Sequence, residues 1–272
     1  MFKQIGDLNV HYEVQGEGEP LILIHGSQMR LDSWEPLLPE LCKHYTVWTY
    51  DVRGHGQTKR PKGGELSHKI WSEDLYQFMQ AMGIKTASAA GWSMGAAILL
   101  SFAVDHPEML RQLILIGAAS PLTPRGDRSG FEARGRLKQA GASGEEIMNQ
   151  TFDFTRSAFS PHSLENNPEG VAKVRALMSL HYDMSYEELS VPVLSSARGD
   201  IGEQLEGILC PTLILVGEHD SRTPIEASET LNANIPNSYM QIIRNCGHNY
   251  AFEQPNVASD WMIAFLKRFK GK

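Results

Sequence analysis

Short apolar runs recur along the chain and predict the strands of a buried sheet. The clearest runs cover residues 21–24, 46–50, 87–90, 112–116, 212–216 and 239–243. Continuous runs of this length are typical of strands that are buried on both faces, as in parallel sheets. Two further segments, 2–5 and 8–15, alternate more loosely and precede a cluster of Gly and Pro residues. They predict an antiparallel hairpin at the edge of the same sheet.

Segments with helical periodicity lie between these runs. In residues 66–82, apolar positions recur three and four residues apart, which is typical of an amphipathic helix. Residues 93–104 are small and apolar nearly all round, and we expect a buried helix there. Segments 224–235 and 255–269 each begin with a proline, a residue favoured at the first helical position. Strands that alternate with helices in this way predict a largely parallel sheet covered on both faces.

One region breaks the alternation, because residues 121–198 contain helical patterns and no strand-like run. We therefore predict a helical cap inserted into a core domain made of residues 1–120 and 199–272. The insertion contains several large apolar side chains that have two possible roles. They either line a pocket or pack the insertion onto the core. These residues are Met148, Phe152, Phe159 and Met178.

Composition narrows the class of protein. The chain has 272 residues, of which 42% are hydrophobic, and this is enough for one catalytic domain with a full core. Its formal net charge is −7, and its basic residues are scattered apart from a short run at 267–270. That run suits the C-terminal end of a helix, and no basic stripe accompanies it, so we expect no nucleic-acid partner.

The cysteines and the N-terminal segment bear on the cellular compartment. Cys42, Cys210 and Cys246 form an odd, sparse set without metal-ligand spacing, which predicts free thiols in a reducing environment. The first seven residues do not resemble a secretory signal, and the longest apolar stretch, around 96–104, is too short to span a bilayer. We expect a cytoplasmic protein without a membrane partner, and its oligomeric state stays open.

The strongest local signal for chemistry is the sequence GWSMG at residues 91–95. It follows a predicted strand and opens a predicted helix, the context in which a G-x-S-x-G motif indicates a serine nucleophile. A sharp corner between strand and helix exposes the hydroxyl of Ser93, and it needs small neighbours two residues away on each side. Gly91 and Gly95 meet that need.

A serine hydroxyl needs an adjacent base, and the chain contains ten histidines. His248 follows the last predicted strand and therefore lies at the carboxyl edge of the sheet, where the catalytic groups of open parallel sheets gather. His25 and His55 also follow strands, but each lies in a Gly-rich turn, and we expect both to make structural hydrogen bonds. His248 is accordingly the predicted base.

The base requires a carboxylate that holds it in one tautomer. Asp220 follows the predicted strand 212–216, and the chain order serine, aspartate, histidine is the one found in α/β-hydrolase triads. Glu218 is the second candidate for the acid, and Asp200, which follows no predicted strand, is the third.

Acyl transfer also needs backbone N–H groups that stabilise the developing oxyanion. One predicted donor is the N–H of Met94, the residue after the nucleophile. The second comes from the loop after strand 21–24, where Ser27 is our choice and Gln28 is the alternative.

Taken together, these motifs closely resemble the α/β-hydrolase superfamily. The shared segments are His25-Gly26, residues 51–58 (DVRGHGQT), the 91–95 elbow, residues 217–220 (GEHD), and Gly247-His248 followed by EQP at 253–255. The resemblance implies a mostly parallel eight-stranded sheet with helices on both faces and a helical cap inserted after the sixth strand. It also implies hydrolysis without a metal or an organic cofactor.

Within the superfamily the chain resembles the small carboxylesterase and β-ketoadipate enol-lactonase group. A serine at position 93 argues against the haloalkane dehalogenases and epoxide hydrolases, which use an aspartate. The loop at 25–28 (HGSQ) lacks the extra glycines of carbon–carbon bond hydrolases, and Cys246-Gly247-His248 differs from the Pro-His-Gly of cofactor-free haloperoxidases.

We therefore expect a serine hydrolase whose substrate is a small-molecule ester or lactone, cleaved through an acyl-enzyme. Two kinds of alternative stay open. One is a different reaction on the same triad, either cleavage of a carbon–carbon bond in a β-diketone-like substrate or a perhydrolase or haloperoxidase reaction. The other is a small-molecule sensor that does not turn over, and fold alone does not separate these functions.

Overall fold

The computed structural model describes residues 1–61, 66–119, 129–179, 202 and 204–271. In this part of the chain eight strands form one sheet. In chain order they are β1 (Phe2–Ile5), β2 (Leu8–Gln15), β3 (Glu19–Ile24), β4 (Tyr45–Tyr50), β5 (Ala87–Trp92), β6 (Leu110–Ile116), β7 (Thr212–Gly217) and β8 (Ser238–Ile243). Each predicted strand is present, with ends that differ from the prediction by at most two residues.

The sheet has the strand order β1-β2-β4-β3-β5-β6-β7-β8. Strand β2 pairs antiparallel with β1 and with β4, whereas every later neighbour pairs in parallel. The predicted antiparallel hairpin at one edge and the predicted parallel sheet are both confirmed. The carboxyl ends of β3 to β8 consequently lie at one common edge.

Strand residues alternate between two apolar clusters, one on each face of the sheet. In β3, Ile22 and Ile24 belong to one cluster, and Leu21 and Leu23 belong to the other. Because all four side chains are fully buried, this strand has no polar face, and the continuous apolar run in its sequence follows directly.

Helices cover both faces. In chain order they are α1 (Leu38–Leu41), α2 (His68–Ala81), α3 (Met94–Asp105), α4 (Ser129–Gln139), α5 (Gly144–Arg156), α6 (Pro161–Asn166), α7 (Pro168–Ser179), α8 (Ile225–Asn234), α9 (Tyr250–Glu253) and α10 (Pro255–Arg268). Helices α2, α3 and α8 contribute to the first apolar cluster, and α1 and α10 contribute to the second. The predicted coverage of both faces is confirmed.

The helical cap follows the sixth strand, as expected, and its described part consists of α4 to α7. Both predicted limits of the cap, 121 and 198, fall outside the described residues. The apolar side chains for which two roles were open, Met148, Phe152, Phe159 and Met178, are buried in the second cluster together with strand residues of the core. They therefore contribute to apolar packing that the cap shares with the core, and a pocket-lining role for them stays a prediction.

Two smaller expectations concern the thiols and the membrane. Cys42, Cys210 and Cys246 are free cysteines, as the sequence predicts. Within the ranges described above, no helix combines the length and the apolar character needed to cross a bilayer.

Candidate active site

Ser93 occupies the corner between β5 and α3, with a backbone φ of 55° and ψ of −107°. An L-residue with positive φ is strained, and such strain persists only where the surrounding structure imposes it. Here the Ser93 N–H donates to the carbonyl of Ile116 on the neighbouring strand, at 2.8 Å. The next residue, Met94, is the first of α3, so its N–H is one of those that lack an acceptor within the helix.

The two glycines of the elbow are required by backbone contacts. A Cβ on Gly91 would lie 2.4 Å from the carbonyl carbon of Gly95, because the turn brings its two ends together. A Cβ on Gly95 would lie 2.1 Å from the carbonyl oxygen of Ile24, because the first turn of α3 rests on the end of β3. These two close contacts between backbone segments explain why the residues two positions before and after the serine must be small, as the sequence predicts.

The loop after β3 makes a tight turn beside Ser93. The N–H of Met29 donates to the carbonyl of Gly26 at 3.2 Å, and Gln28 has a φ of 61°. The N–H groups of the two central residues, Ser27 and Gln28, are not used by the hydrogen bond of such a turn. A Cβ on Gly26 would lie 3.5 Å from the Cβ of Ser93, so the turn is close to the nucleophile candidate. Both candidates for the second oxyanion donor remain predictions.

Asp220 and His248 are hydrogen-bonded to each other at the carboxyl edge of the sheet. The Nδ1–H of His248 donates to Oδ2 of Asp220 at 2.8 Å. Asp220 follows β7 and is 5% exposed, and His248 follows β8. The predicted acid and base are therefore in contact.

The carboxylate of Asp220 accepts several further hydrogen bonds. Its Oδ1 accepts from the N–H groups of Arg222 (2.8 Å) and Thr223 (2.9 Å). Its Oδ2 accepts from the hydroxyls of Thr223 (2.8 Å) and Tyr250 (2.6 Å). Burial raises the pKa of Asp220, but the positive charge of His248 and these hydrogen bonds outweigh burial, so the pKa lies below its usual value.

Tyr250 is a site residue that the sequence interpretation missed. Its hydroxyl donates to Asp220 and accepts the N–H of Gly217, at 3.0 Å. Burial, together with the charge of Asp220, raises the pKa of Tyr250 well above its usual value. This hydroxyl therefore stays protonated and can donate a hydrogen bond. Its position two residues after the candidate base was the available signal.

His248 packs against the segment that carries Ser93. The indole N–H of Trp92 donates to the carbonyl of His248 at 2.9 Å, and the two ring centroids are 6.1 Å apart. A Cβ on Gly117, at the end of β6, would lie 3.1 Å from the imidazole. Among the hydrogen bonds of the described residues, none joins the Ser93 hydroxyl to His248, and in unliganded enzymes this contact is often long.

The rival candidates have other surroundings. Glu218 is exposed, and its carboxylate accepts the N–H of Asn245 at 3.0 Å. Asp200 lies outside the described residues. His25 is buried, donates from Nδ1 to the carbonyl of Gly26 (2.8 Å) and accepts at Nε2 from the N–H of Val52 (3.0 Å). Burial lowers the pKa of His25, which agrees with a neutral imidazole in a structural role.

The DVRGHGQT segment supports the turn beside Ser93. Asp51 accepts the N–H of Leu31 at one carboxylate oxygen (2.9 Å) and the N–H of Gln57 at the other (2.8 Å). A Cβ on Gly56 would lie 2.2 Å from that second oxygen. This buried carboxylate thus ties the loop after β3 to the loop after β4.

The cap contacts the acid loop directly. The guanidinium of Arg222 donates to the carbonyl of Phe154 and to the hydroxyl of Ser157, and it stacks 3.4 Å from the centroid of the Phe154 ring. The hydroxyl of Ser221 donates to the carbonyl of Ser157 at 3.2 Å. The C-terminal end of α5 is therefore bound to the residues that follow Asp220.

Comparison with known proteins gives a family and several relatives. The model of a family described as "alpha/beta hydrolase fold" matches residues 19–255. The 2-hydroxy-6-oxo-6-(2'-aminophenyl)hexa-2,4-dienoic acid hydrolase of Metapseudomonas resinovorans is 27% identical over an alignment that covers 98% of this chain and 90% of the relative.

Two of the matching solved structures illustrate that the fold is shared over nearly the whole chain. The enol-lactonase from Burkholderia xenovorans LB400 has a TM-score of 0.85 and 21% sequence identity, and the match covers 98% of this chain and 100% of that one. A thermophilic esterase from Thermogutta terrifontis has a TM-score of 0.82 and 24% identity, and the match covers 99% of both chains.

Proposed function

The chain belongs to the α/β-hydrolase fold family, and from that premise we propose that it is a serine hydrolase of small carboxylic esters or lactones. In this proposal Ser93 is the nucleophile, His248 is the base and Asp220 is the acid that orients it. The N–H groups of Ser27 and Met94 stabilise the oxyanion. No metal or organic cofactor takes part in these steps.

The observation that carries the proposal is the partly buried hydrogen bond between Asp220 and His248, at the same sheet edge as the strained corner of Ser93. A carboxylate with a depressed pKa stays ionised, so it fixes the proton of the imidazole on Nδ1. The other ring nitrogen, Nε2, is then the basic one. This is the tautomer that a serine nucleophile requires.

The first half of the reaction forms an acyl-enzyme. The oxygen of Ser93 attacks the carbonyl carbon of the ester, and Nε2 of His248 takes the hydroxyl proton. The π electrons of the carbonyl group move to the carbonyl oxygen. The resulting oxyanion accepts hydrogen bonds from the N–H groups of Ser27 and Met94. When the carbonyl re-forms, the bond to the alcohol oxygen breaks, and the imidazolium gives its proton to the leaving alcohol. In a lactone the alcohol stays attached to the acyl group.

The second half consumes one water molecule. His248 removes a proton from water as the water oxygen attacks the acyl carbon, and a second oxyanion forms at the same donors. The bond to Ser93 then breaks, the serine oxygen recovers the proton from the imidazolium, and the carboxylic acid leaves. The charge of Asp220 stabilises the imidazolium in both halves.

A second candidate reaction is favoured by the relatives. The acid in the name of the Metapseudomonas resinovorans relative has neither an ester nor a lactone group, so a hydrolase acting on it breaks a carbon–carbon bond. The glycine-poor loop at 25–28 argues against that reaction in this chain, and the 27% identity argues for it. We rank ester or lactone hydrolysis first and carbon–carbon hydrolysis second.

The test is a substrate panel assayed beside Ser93→Ala. The panel contains aryl esters and lactones of graded chain length and a vinylogous diketone, and multiple turnovers are counted for each. We expect turnover of an ester or lactone, lowered on the order of 10⁶-fold in Ser93→Ala. Turnover of the diketone alone would favour the second candidate, and a single event per molecule would favour a sensor. Full ester hydrolysis by Ser93→Ala would exclude the proposed nucleophile.

A further inference from the structure

Glu253 is a buried carboxylate next to the candidate base, and the steps proposed above do not use it. The residue is 6% exposed and closes the short helix α9, five residues after His248. Burying a carboxylate is costly unless hydrogen bonds compensate for the lost water. The partners of Glu253 therefore indicate what it is there to hold.

Its partners are three backbone N–H groups. The Oε2 atom accepts from Gly247 at 3.0 Å, and the Oε1 atom accepts from Asn249 at 3.0 Å. These two residues flank His248 on either side. The carboxylate thus fixes the peptide group that follows His248 and the one that precedes Gly247, and this limits how far the ring can move.

The third partner belongs to the cap. Oε2 of Glu253 also accepts the N–H of Ser160, at 2.8 Å, in the turn between α5 and α6. A second bond joins the same elements, because the N–H of His248 donates to the carbonyl of Ala158 at 2.7 Å. A Cβ on Gly247 would lie 2.2 Å from that carbonyl oxygen, which shows how closely the two backbones approach.

We propose that Glu253 is the positioning residue for His248, fixing its backbone on both sides and holding it in register with the cap turn at 158–160. This role presupposes that His248 is the base, as proposed above. Glu253 does not reach the reacting atoms in this proposal. It acts by keeping the imidazole between Asp220 and Ser93, where a displacement of about 1 Å costs on the order of 10²-fold in rate.

The test compares Glu253→Gln with Glu229→Gln, a matched change of an exposed glutamate on α8. A glutamine has a single acceptor oxygen, so at least one of the three N–H groups would face the amide NH₂. We expect kcat for the best ester to fall on the order of 10²-fold with KM nearly unchanged, while Glu229→Gln behaves as the wild type. The downfield proton resonance of His248 Nδ1–H, shared with Asp220, should shift or broaden in Glu253→Gln only.

Each outcome decides for or against the positioning role. If Glu253→Gln has the same kcat and the same downfield resonance as Glu229→Gln, the positioning role is overturned. A lower melting temperature with an unchanged resonance would also overturn it, because Glu253 would then be only structural. Glu253→Ala, which loses all three bonds, should be more impaired than Glu253→Gln, and the glutamine variant carries the test if the alanine variant does not fold.

The same assays separate this role from the proposed function. If Ser93→Ala keeps the ester activity, the proposed function fails, and the resonance of His248 still reports whether Glu253 positions the ring. If Ser93→Ala is inactive while Glu253→Gln matches its control, the positioning role alone is wrong.

Discussion

At the scale of single residues, the site depends on how buried charge is compensated. Burial alone would raise the pKa of Asp220, because a low-dielectric environment disfavours a carboxylate. The charge of His248 and the donors at Thr223 and Tyr250 reverse that preference, so the pKa is lowered instead. Removing one donor should therefore weaken both the fold and the ionised state of this carboxylate.

Tyr250→Phe tests that statement at one atom. The change removes the donor to Asp220 and leaves the buried N–H of Gly217 without its acceptor. An unsatisfied buried group costs about 1–3 kcal/mol, so the free energy of unfolding in urea should fall by that amount. Tyr239→Phe is the control, because Tyr239 is 40% exposed, and it should change the value by less than about 0.5 kcal/mol. Equal free energies of unfolding for Tyr250→Phe and Tyr239→Phe would contradict the role of the Tyr250 hydroxyl.

At the scale of elements, most of the fold could be predicted from the sequence. Strands such as β3 and β7 are buried on both faces, and this leaves an unbroken apolar run that is easy to recognise. Helices α1 and α9 have four residues each, too few for a periodic pattern, and they were not predicted.

Some residues of the candidate site could be predicted from the sequence and others could not. Ser93, Asp220 and His248 were found because each follows a strand within a recognisable local motif. Tyr250 was missed, and Glu253 was recognised only as part of the EQP segment, because their roles depend on hydrogen bonds to Asp220 and to the cap, which lie on other segments of the chain. A single sequence contains no trace of such contacts apart from nearness to a motif.

The close contact between Gly95, in the first turn of α3, and the end of β3 leads to a stability prediction. In Gly95→Ala the new methyl group would meet the carbonyl of Ile24 at 2.1 Å, so α3 must move away from β3. Overpacking of this kind costs about 1–3 kcal/mol, and contact with backbone places this site at the upper end.

Gly207→Ala is the matched control, because a Cβ there meets nothing within 4 Å. Urea unfolding should show a change of less than about 1 kcal/mol for this variant. The packing of α3 on β3 would be in doubt if both alanine variants were equally stable.

At the scale of the whole molecule, the sheet brings together residues that are far apart in the chain. Ser93 lies between β5 and α3, whereas Asp220 and His248 follow β7 and β8. The bond between Asp220 and His248 exists only when β7 and β8 lie side by side, since their loops come together through that pairing. Ionisation of the acid and folding of the chain are therefore linked.

This linkage predicts a dependence of stability on pH. The folded pKa of Asp220 lies below its usual value of 3.8, so its ionisation stabilises the fold above that pH. The contribution is lost as the pH falls through the folded pKa. The difference in unfolding free energy between the wild type and Asp220→Asn should accordingly be largest above about pH 5 and should narrow in stronger acid. A difference that stays constant from neutral pH into strong acid would mean that the folded pKa is not depressed.

The most direct test of the proposed chemistry is covalent labelling with an aryl phosphonate ester, followed by peptide mass spectrometry. The probe is attacked like an ester but leaves a stable bond to the nucleophile. We predict one phosphonyl group per chain on Ser93, none on Ser93→Ala, and labelling of His248→Ala that is slower by about 10²–10⁴-fold. Labelling of the wild type at another residue, or at Ser93 with a rate that His248→Ala leaves unchanged, would contradict the triad.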